Sequence, residues 1–259
     1  MKSLAKSLVY GAVEVLTAGR GVRRVINGEA VRFPARWSRF YPSSYEPDRH
    51  RFLRVHCLPG HTVLDVGAHI GLYSAIFARL VGSGGRVFAF EPTPDTRTVL
   101  KRTIRLNRCE GIVEVRAEAV SNVSDRTTFF DTGVAGSNAN TLVKDGRSRG
   151  EYAVDVVTVD DFAAARGLAV DCLKIDAEGS ELDVLRGASN TLDTRRPALA
   201  LELHPDMLPH AGASLSAVWD LLRDRRYAVF SGRVRMDEAW FIGRCAGFEV
   251  QALPQERAV

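Results

Sequence analysis

Hydrophobic and polar positions along this chain switch repeatedly between a strand pattern and a helical one. Thr62-Val63-Leu64-Asp65-Val66 is a short apolar, β-branched run ending near a carboxylate, the mark of a buried strand. Gly67-Ala68-His69-Ile70-Gly71 then turns into a stretch whose apolar residues Leu72, Ala75, Ile76, Ala78 and Leu80 recur at helical spacing. The Gly-Ser-Gly-Gly run at 82–85 stops that helix, and Arg86–Phe90 gives a second strand closed by Glu91. This is a βαβ unit with glycines at its first turn and an acid at the tip of its second strand.

The alternation continues. Pro92-Thr93-Pro94-Asp95 starts a helix to about Asn107, because proline in a first turn and an adjacent acid both suit a helix start. Ile112–Ala117 is a third strand, followed by Glu118 and Ala119. Arg126–Asp131 and Glu151–Val157 pattern as a hairpin around a polar, glycine-rich loop, Thr132–Gly150, of a length that is usually functional. Thr158 caps a helix to about Gly167, and Asp171–Asp176 forms a fourth core strand leading into a helix carrying Leu182 and Leu185. Pro197–Leu203 and Tyr227–Phe230 are further strands around the amphipathic helix Leu215–Arg223, and Trp240–Ile242 or Phe248–Val250 supplies the last. Such alternation predicts an α/β fold with a mostly parallel sheet and helices on both faces.

With 259 residues, 46% hydrophobic and 25% charged, the chain suits one α/β domain plus an extension. Its charge of +4 is uneven: residues 1–61 hold eleven Lys or Arg and four Asp or Glu, leaving −3 for the remainder. That basic end suits a solvated surface, or attraction to anionic lipid or an acidic substrate. Nucleic acid is not expected, because the rest of the chain has no basic surplus. Leu4, Leu8, Ala12 and Leu16 share one helical face, an amphipathic helix that packs on the domain or lies on a membrane. Residues 20–60 are rich in arginine, aromatics and proline, with a short helix between Tyr45 and Leu58, and suggest a lid near the pocket. Cys57, Cys109, Cys172 and Cys245 have no paired spacing and read as buried thiols of a cytoplasmic protein. No apolar run reaches membrane-spanning length.

The chemistry begins at the glycine turn. Glycines there let a ligand approach the backbone at a helix start, and Glu91 can accept the hydroxyls of a ribose. A dinucleotide fingerprint requires glycines where His69 and Leu72 stand, which disfavours a nicotinamide-dependent oxidoreductase. Asp65-x-Gly67-x-x-x-Gly71 instead suits S-adenosylmethionine, a cation that calls for a carboxylate and polar backbone and not a phosphate nest.

Lys174, Asp176, Glu178 and Glu181 crowd one strand end and helix start. Capping of that helix explains Glu178 and Glu181 as well as catalysis does. Methyl transfer to an alcohol needs the hydroxyl proton removed as the C–O bond forms, so Asp176, Glu178 and His204 are the candidate bases. Asp176 and Glu202 are also suited to a divalent cation, but no spacing demands a metal.

At these residues the chain resembles the FkbM family of S-adenosylmethionine-dependent methyltransferases. The resemblance rests on LDVGAHIGLYS at 64–74, FAFEPTPDT at 88–96, VDVVTVDDF at 154–162, LKIDAEGSELDVLRGA at 173–188 and RPALALELH at 196–204. It implies a class I methyltransferase Rossmann-like three-layer sandwich with a seven-stranded sheet and an inserted hairpin over residues 61–259. Residues 1–60 then form a helical, basic and aromatic extension or lid. It also implies O-methylation of a saccharide, glycolipid or polyketide hydroxyl. By motif match Asp65, Gly67 and Gly71 line the methionine part of the cofactor, Glu91 holds its ribose and Glu118 lies near the adenine. Ala68, His69, Pro92, Ala119 and Asp176 complete the expected cofactor site, and Asp176 and Glu178 lie at the active-site mouth. His69 replaces the family's usual asparagine. A non-catalytic membrane-surface module of the same fold is the alternative from outside the enzymes.

Overall fold

The computed structural model describes residues 10, 12–13, 15–133, 137, 140–144, 146 and 148–258. Leu4 and Leu8 of the expected amphipathic helix lie outside the described residues. The strands are β1 (Val22–Ile26), β2 (Glu29–Phe33), β3 (Thr62–Val66), β4 (Arg86–Phe90), β5 (Val113–Arg116), β6 (Ala119–Val120) and β7 (Asp125–Asp131). They continue as β8 (Gly150–Val157), β9 (Cys172–Ile175), β10 (Ala198–Leu203), β11 (Tyr227–Ser231), β12 (Val234–Arg235) and β13 (Phe248–Pro254).

The main sheet runs β12-β11-β13-β10-β9-β3-β4-β5. It has eight strands where seven were expected, because β11 turns back through a two-residue edge strand that the periodicity does not mark. Strands β10, β9, β3, β4 and β5 pair in parallel, and β13 is inserted antiparallel between β10 and β11. The last large strand is Phe248–Pro254; Trp240–Ile242 belongs to the helix Glu238–Ile242. The chain leaves β3 toward β5 on one side and returns to β9 on the other, so the order reverses at β3. In an open α/β sheet the crevice for a ligand forms at the carboxyl ends of the strands flanking that point. The inserted hairpin is β7 and β8, which with β6 makes a separate three-stranded sheet beside it.

Strand alternation sorts the core into two layers. Leu64, Phe88, Phe90, Leu173, Ile175, Leu199 and Leu201 pack with the helices Val159–Arg166, Glu181–Arg186 and Leu215–Asp224 on one face. Val63, Val87, Ala89, Cys172 and Ala200 pack with the helix Leu72–Val81 on the other. That helix is apolar almost all round and needs a second cover. The extension supplies it: Ile26, Val31 and Phe33 of the hairpin, with Phe52 and Leu53 of the helix Pro47–His56, join the same core. The extension is therefore a hairpin followed by a helix, not helical throughout, and residues 20–60 are built into the structure. Cys57, Cys109 and Cys172 are buried, whereas Cys245 is exposed in the loop before β13. No helix among the described residues is long and apolar enough to cross a membrane.

Candidate active site

A crevice enclosing about 70 Å³ lies at the carboxyl ends of β3, β4 and β9. Of the residues expected to hold a cofactor, Gly67, His69, Glu91, Pro92, Glu118, Ala119 and Asp176 line it. Gly67 turns the chain at φ +73, and a Cβ there would stand 1.9 Å from the carbonyl oxygen of Asp176. The tips of β3 and β9 meet this closely only because the residue is glycine.

Asp65, Ala68 and Gly71, also expected at the cofactor, do not line the crevice and stand behind it. Asp65 is fully buried, accepting from Ser74 Oγ at 2.6 Å and facing Lys174 Nζ at 3.3 Å. The Ala68 N–H is spent on the Phe90 carbonyl at 3.0 Å. Gly71 begins the helix at φ +91, where a side chain would meet Leu100. Lys174 joins these pieces: its Nζ donates to the Gly67 carbonyl at 2.8 Å and lies 3.5 Å from Asp176 Oδ2. Burial works against its charge, but Asp65 and Asp176 outweigh burial and hold the ammonium above its ordinary value.

Glu91 is buried, its Oε2 accepting the His69 N–H and its Oε1 the Thr93 N–H, both at 2.9 Å. Burial raises its carboxyl despite these bonds. The His69 ring is held from the extension, with Tyr41 Oη at 3.1 Å from Nδ1 and the Phe40 ring at 4.8 Å. Glu118 is paired with Arg116, and although burial opposes it, that contact leaves its carboxyl below the ordinary range. The described part of the 132–150 loop closes one side. Thr141 Oγ1 donates to the Glu178 carbonyl at 2.7 Å, and Asn140 Nδ2 donates to Thr93 Oγ1 at 3.2 Å.

The three candidate bases differ. Asp176 is partly exposed; burial would raise its carboxyl, but Lys174, Arg49 and His204 hold it below the ordinary range. Glu178 sits at φ +47 with a buried side chain, and burial pushes it up to about 7. His204 stands behind the crevice, Nδ1 at 2.7 Å from Glu181 Oε1 and Nε2 at 3.7 Å from Glu178 Oε1. Burial opposes its charge, yet Glu181, Glu178 and Asp176 raise it to about 9. These carboxylates favour the protonated imidazole, in which no lone pair is free to act as a base.

Sequence reasoning misses Arg49. This side chain, 1% exposed, meets Glu46 at 2.6 Å, Glu202 at 2.9 Å and Glu249 at 3.3 Å, carrying the extension into the wall beside Asp176. Donor atoms of Asp176, Glu202 and His204 lie within 4.8 Å of one another, a spacing a divalent cation would accept. Arg49 and Lys174 already place two cations of the chain on those carboxylates.

The crevice lining carries Glu91, Glu118, Asp176 and Glu178 and, among the described residues, no lysine or arginine. That donor set fits a cationic nucleoside and repels a pyrophosphate.

The family model for the methyltransferase FkbM domain matches residues 65–229. A hexuronic acid methyltransferase, AglP, of Haloferax volcanii is 26% identical over 77% of this chain and 77% of its own. The 31-O-demethyl-FK506 methyltransferase FkbM of Streptomyces tacrolimicus is 30% identical over 68% of this chain and 75% of its own. Among solved structures, a methyltransferase FkbM of Methylobacillus flagellatus is 19% identical, covering 74% of this chain and 43% of that one with a TM-score of 0.47.

Proposed function

Because the chain belongs to the FkbM methyltransferase family, we propose that it transfers a methyl group from S-adenosylmethionine to a hydroxyl of a saccharide, glycolipid or polyketide-type acceptor. The observation that carries the cofactor half is the crevice lining, four carboxylates with no lysine or arginine among its described residues. It also counts against the nicotinamide alternative, whose pyrophosphate would face those acids unpaired. The relative named for 31-O-demethyl-FK506 supports a hydroxyl acceptor, and the one named for a hexuronic acid supports a sugar.

When bound, S-adenosylmethionine supplies an electrophilic methyl group on a positively charged sulfur. Glu91, held by two backbone N–H groups, is oriented to accept the ribose hydroxyls. Gly67 and His69 offer backbone at close range, and Asp176 keeps negative charge beside the cationic centre. Glu178 takes the acceptor's proton, since a carboxyl near 7 matches a base working at neutral pH better than Asp176 or charged His204. Before that step, His204 at 3.7 Å favours the ionised form of Glu178 that accepts the proton.

Isothermal titration of the full chain with S-adenosylmethionine tests the cofactor half: saturable binding that Glu91→Ala weakens is expected, and no saturable heat would overturn it. Transfer of labelled methyl to a panel of uronic acids, glycolipids and demethylated macrolides tests the acceptor half, and label appearing only on amines or carboxylates would overturn that.

A further inference from the structure

A groove lined by Arg20, Arg23, Arg32, Arg79, Arg105 and Arg108 lies where the β1–β2 hairpin packs on the end of the helix Pro94–Leu106. That helix starts just after Glu91 at the crevice and runs for 13 residues, about 20 Å. The groove is therefore at the opposite end of it from the candidate active site.

Its walls are fixed. Asn107 Oδ1 accepts from the Arg32 N–H and from Arg79 Nη2, each at 3.0 Å, and Asn107 Nδ2 donates to the Arg32 carbonyl at 2.8 Å. At Gly21, φ +67, a Cβ would meet the Phe33 carbonyl oxygen at 2.6 Å and Leu106 at 2.7 Å, so hairpin and helix join without slack.

The charge is not balanced. Arg23 and Arg32 stand directly opposite each other on the paired strands, both exposed, an arrangement that destabilises a hairpin. Arg79 reaches Glu29 at 3.9 Å, but Arg54 already holds that carboxylate at 2.8 Å. Among the described residues, Arg20, Arg23, Arg32, Arg105 and Arg108 have no carboxylate partner. Five guanidinium groups gathered on one rigid concave surface lower their mutual repulsion when phosphates arrive.

The rim selects the kind of phosphate. Val15 and Leu16, 80% and 84% exposed, stand four to five residues before Arg20, and Val25, 43% exposed, shares the outward face of β1 with Arg23. Apolar side chains beside arginines suit the boundary between lipid headgroups and acyl chains. Among its described residues the groove presents no aromatic ring on which a nucleic acid base would stack.

We propose that this groove seats the protein on an anionic membrane surface. Its arginines take lipid phosphates, and Val15, Leu16 and Val25 enter the headgroup boundary. The crevice at the far end stays open to solvent, so attachment and methyl transfer are separable properties, and this proposal stands or falls independently of the acceptor.

Co-sedimentation of the full chain with phosphatidylcholine vesicles, with and without phosphatidylglycerol, tests it. Binding is expected only to the anionic vesicles and is weakened by salt. A basic residue close to such a surface contributes about five-fold, so Arg23→Ala/Arg32→Ala and Arg105→Ala/Arg108→Ala should each weaken binding about 30-fold. Arg126→Ala, on the remote hairpin and similarly exposed, should leave binding unchanged. Circular dichroism melts report folding, and the Arg23→Ala/Arg32→Ala pair should melt no lower than the parent. Absence of anionic-vesicle binding, or equal binding by both double variants and the parent, would overturn the proposal. So would groove-dependent binding of tripolyphosphate or a labelled oligonucleotide without vesicle binding.

Discussion

His204 Nδ1 lies 2.7 Å from Oε1 of Glu181, a side chain with no exposed surface, and this contact sets the charge behind the crevice. The imidazole keeps its proton from the ordinary 6.5 up to about 9, because Glu181, Glu178 and Asp176 together outweigh burial. A basic group raised in the folded state stabilises fully below 6.5, and that stabilisation is lost as pH rises through about 9. Chemical denaturation across that window should show a loss on the order of 3 kcal/mol. Glu181→Gln should flatten the slope; an unchanged slope would show that the pair does not control it.

The rate should follow Glu178. Burial places its carboxyl near 7, so turnover with saturating cofactor should climb as pH rises toward 7 and level above it. Glu178→Gln should abolish that rise and lower kcat by about 10²- to 10⁴-fold, the usual contribution of a general base. Cofactor affinity should change little, because the group acts on the acceptor's proton. An intact pH profile in the variant would move the base elsewhere.

The legible and illegible parts of this molecule differ in how far their causes reach along the chain. The βαβ unit shows in the sequence because each boundary is local: glycines at 67 and 71, the 82–85 glycine run, and apolar spacing between them. The Thr158 cap is equally local, and its hydroxyl accepts the Asp161 N–H at 2.9 Å as the spacing predicts. The β1–β2 hairpin carries a clear signal in Asn27-Gly28 between alternating strands, with φ +49 and +87. Reading residues 20–60 by composition passes over it. Arg49 shows only its local partner Glu46 in the sequence; its place in the crevice wall depends on Glu202, 153 positions away. The Thr141 bond to Glu178 is likewise tertiary, made by a loop whose sequence has no period. Charges of this kind also surround the strand-tip His204 with Glu178 and Glu181, contacts that its sequence neighbourhood does not announce.

Arg49→Met should destabilise the chain by about 3 kcal/mol, the low end for a broken buried pair, since it leaves the half-buried Glu46, Glu202 and Glu249 without their cation. The deficit should depend on pH. Burial raises Glu249 to about 7 even with Arg49 beside it, and removing the guanidinium raises it further, so below 7 it is protonated and needs no partner, while above 7 only the parent gains from the ion pair. Urea denaturation of variant and parent on either side of pH 7 should show the larger gap on the alkaline side. A gap independent of pH would assign the loss to packing of the guanidinium stem alone.

Gly67→Ala separates backbone strain from collision at the crevice floor. At φ +73 any side chain carries a left-handed penalty of about 1–2 kcal/mol, and Gly212→Ala, at φ +66 with nothing within 4 Å, should cost only that. At Gly67 the added methyl also arrives 1.9 Å from the Asp176 carbonyl oxygen, a backbone atom with no rotamer to escape through. The tips of β3 and β9 must part, loosening the 2.8 Å bond from Lys174 to the Gly67 carbonyl and displacing Asp176. Gly67→Ala should therefore melt well below Gly212→Ala and lose measurable heat on titration with S-adenosylmethionine, while Gly212→Ala titrates like the parent. Equal melting points and equal affinities for the two variants would mean that the closeness of these two strand tips is not what shapes the site.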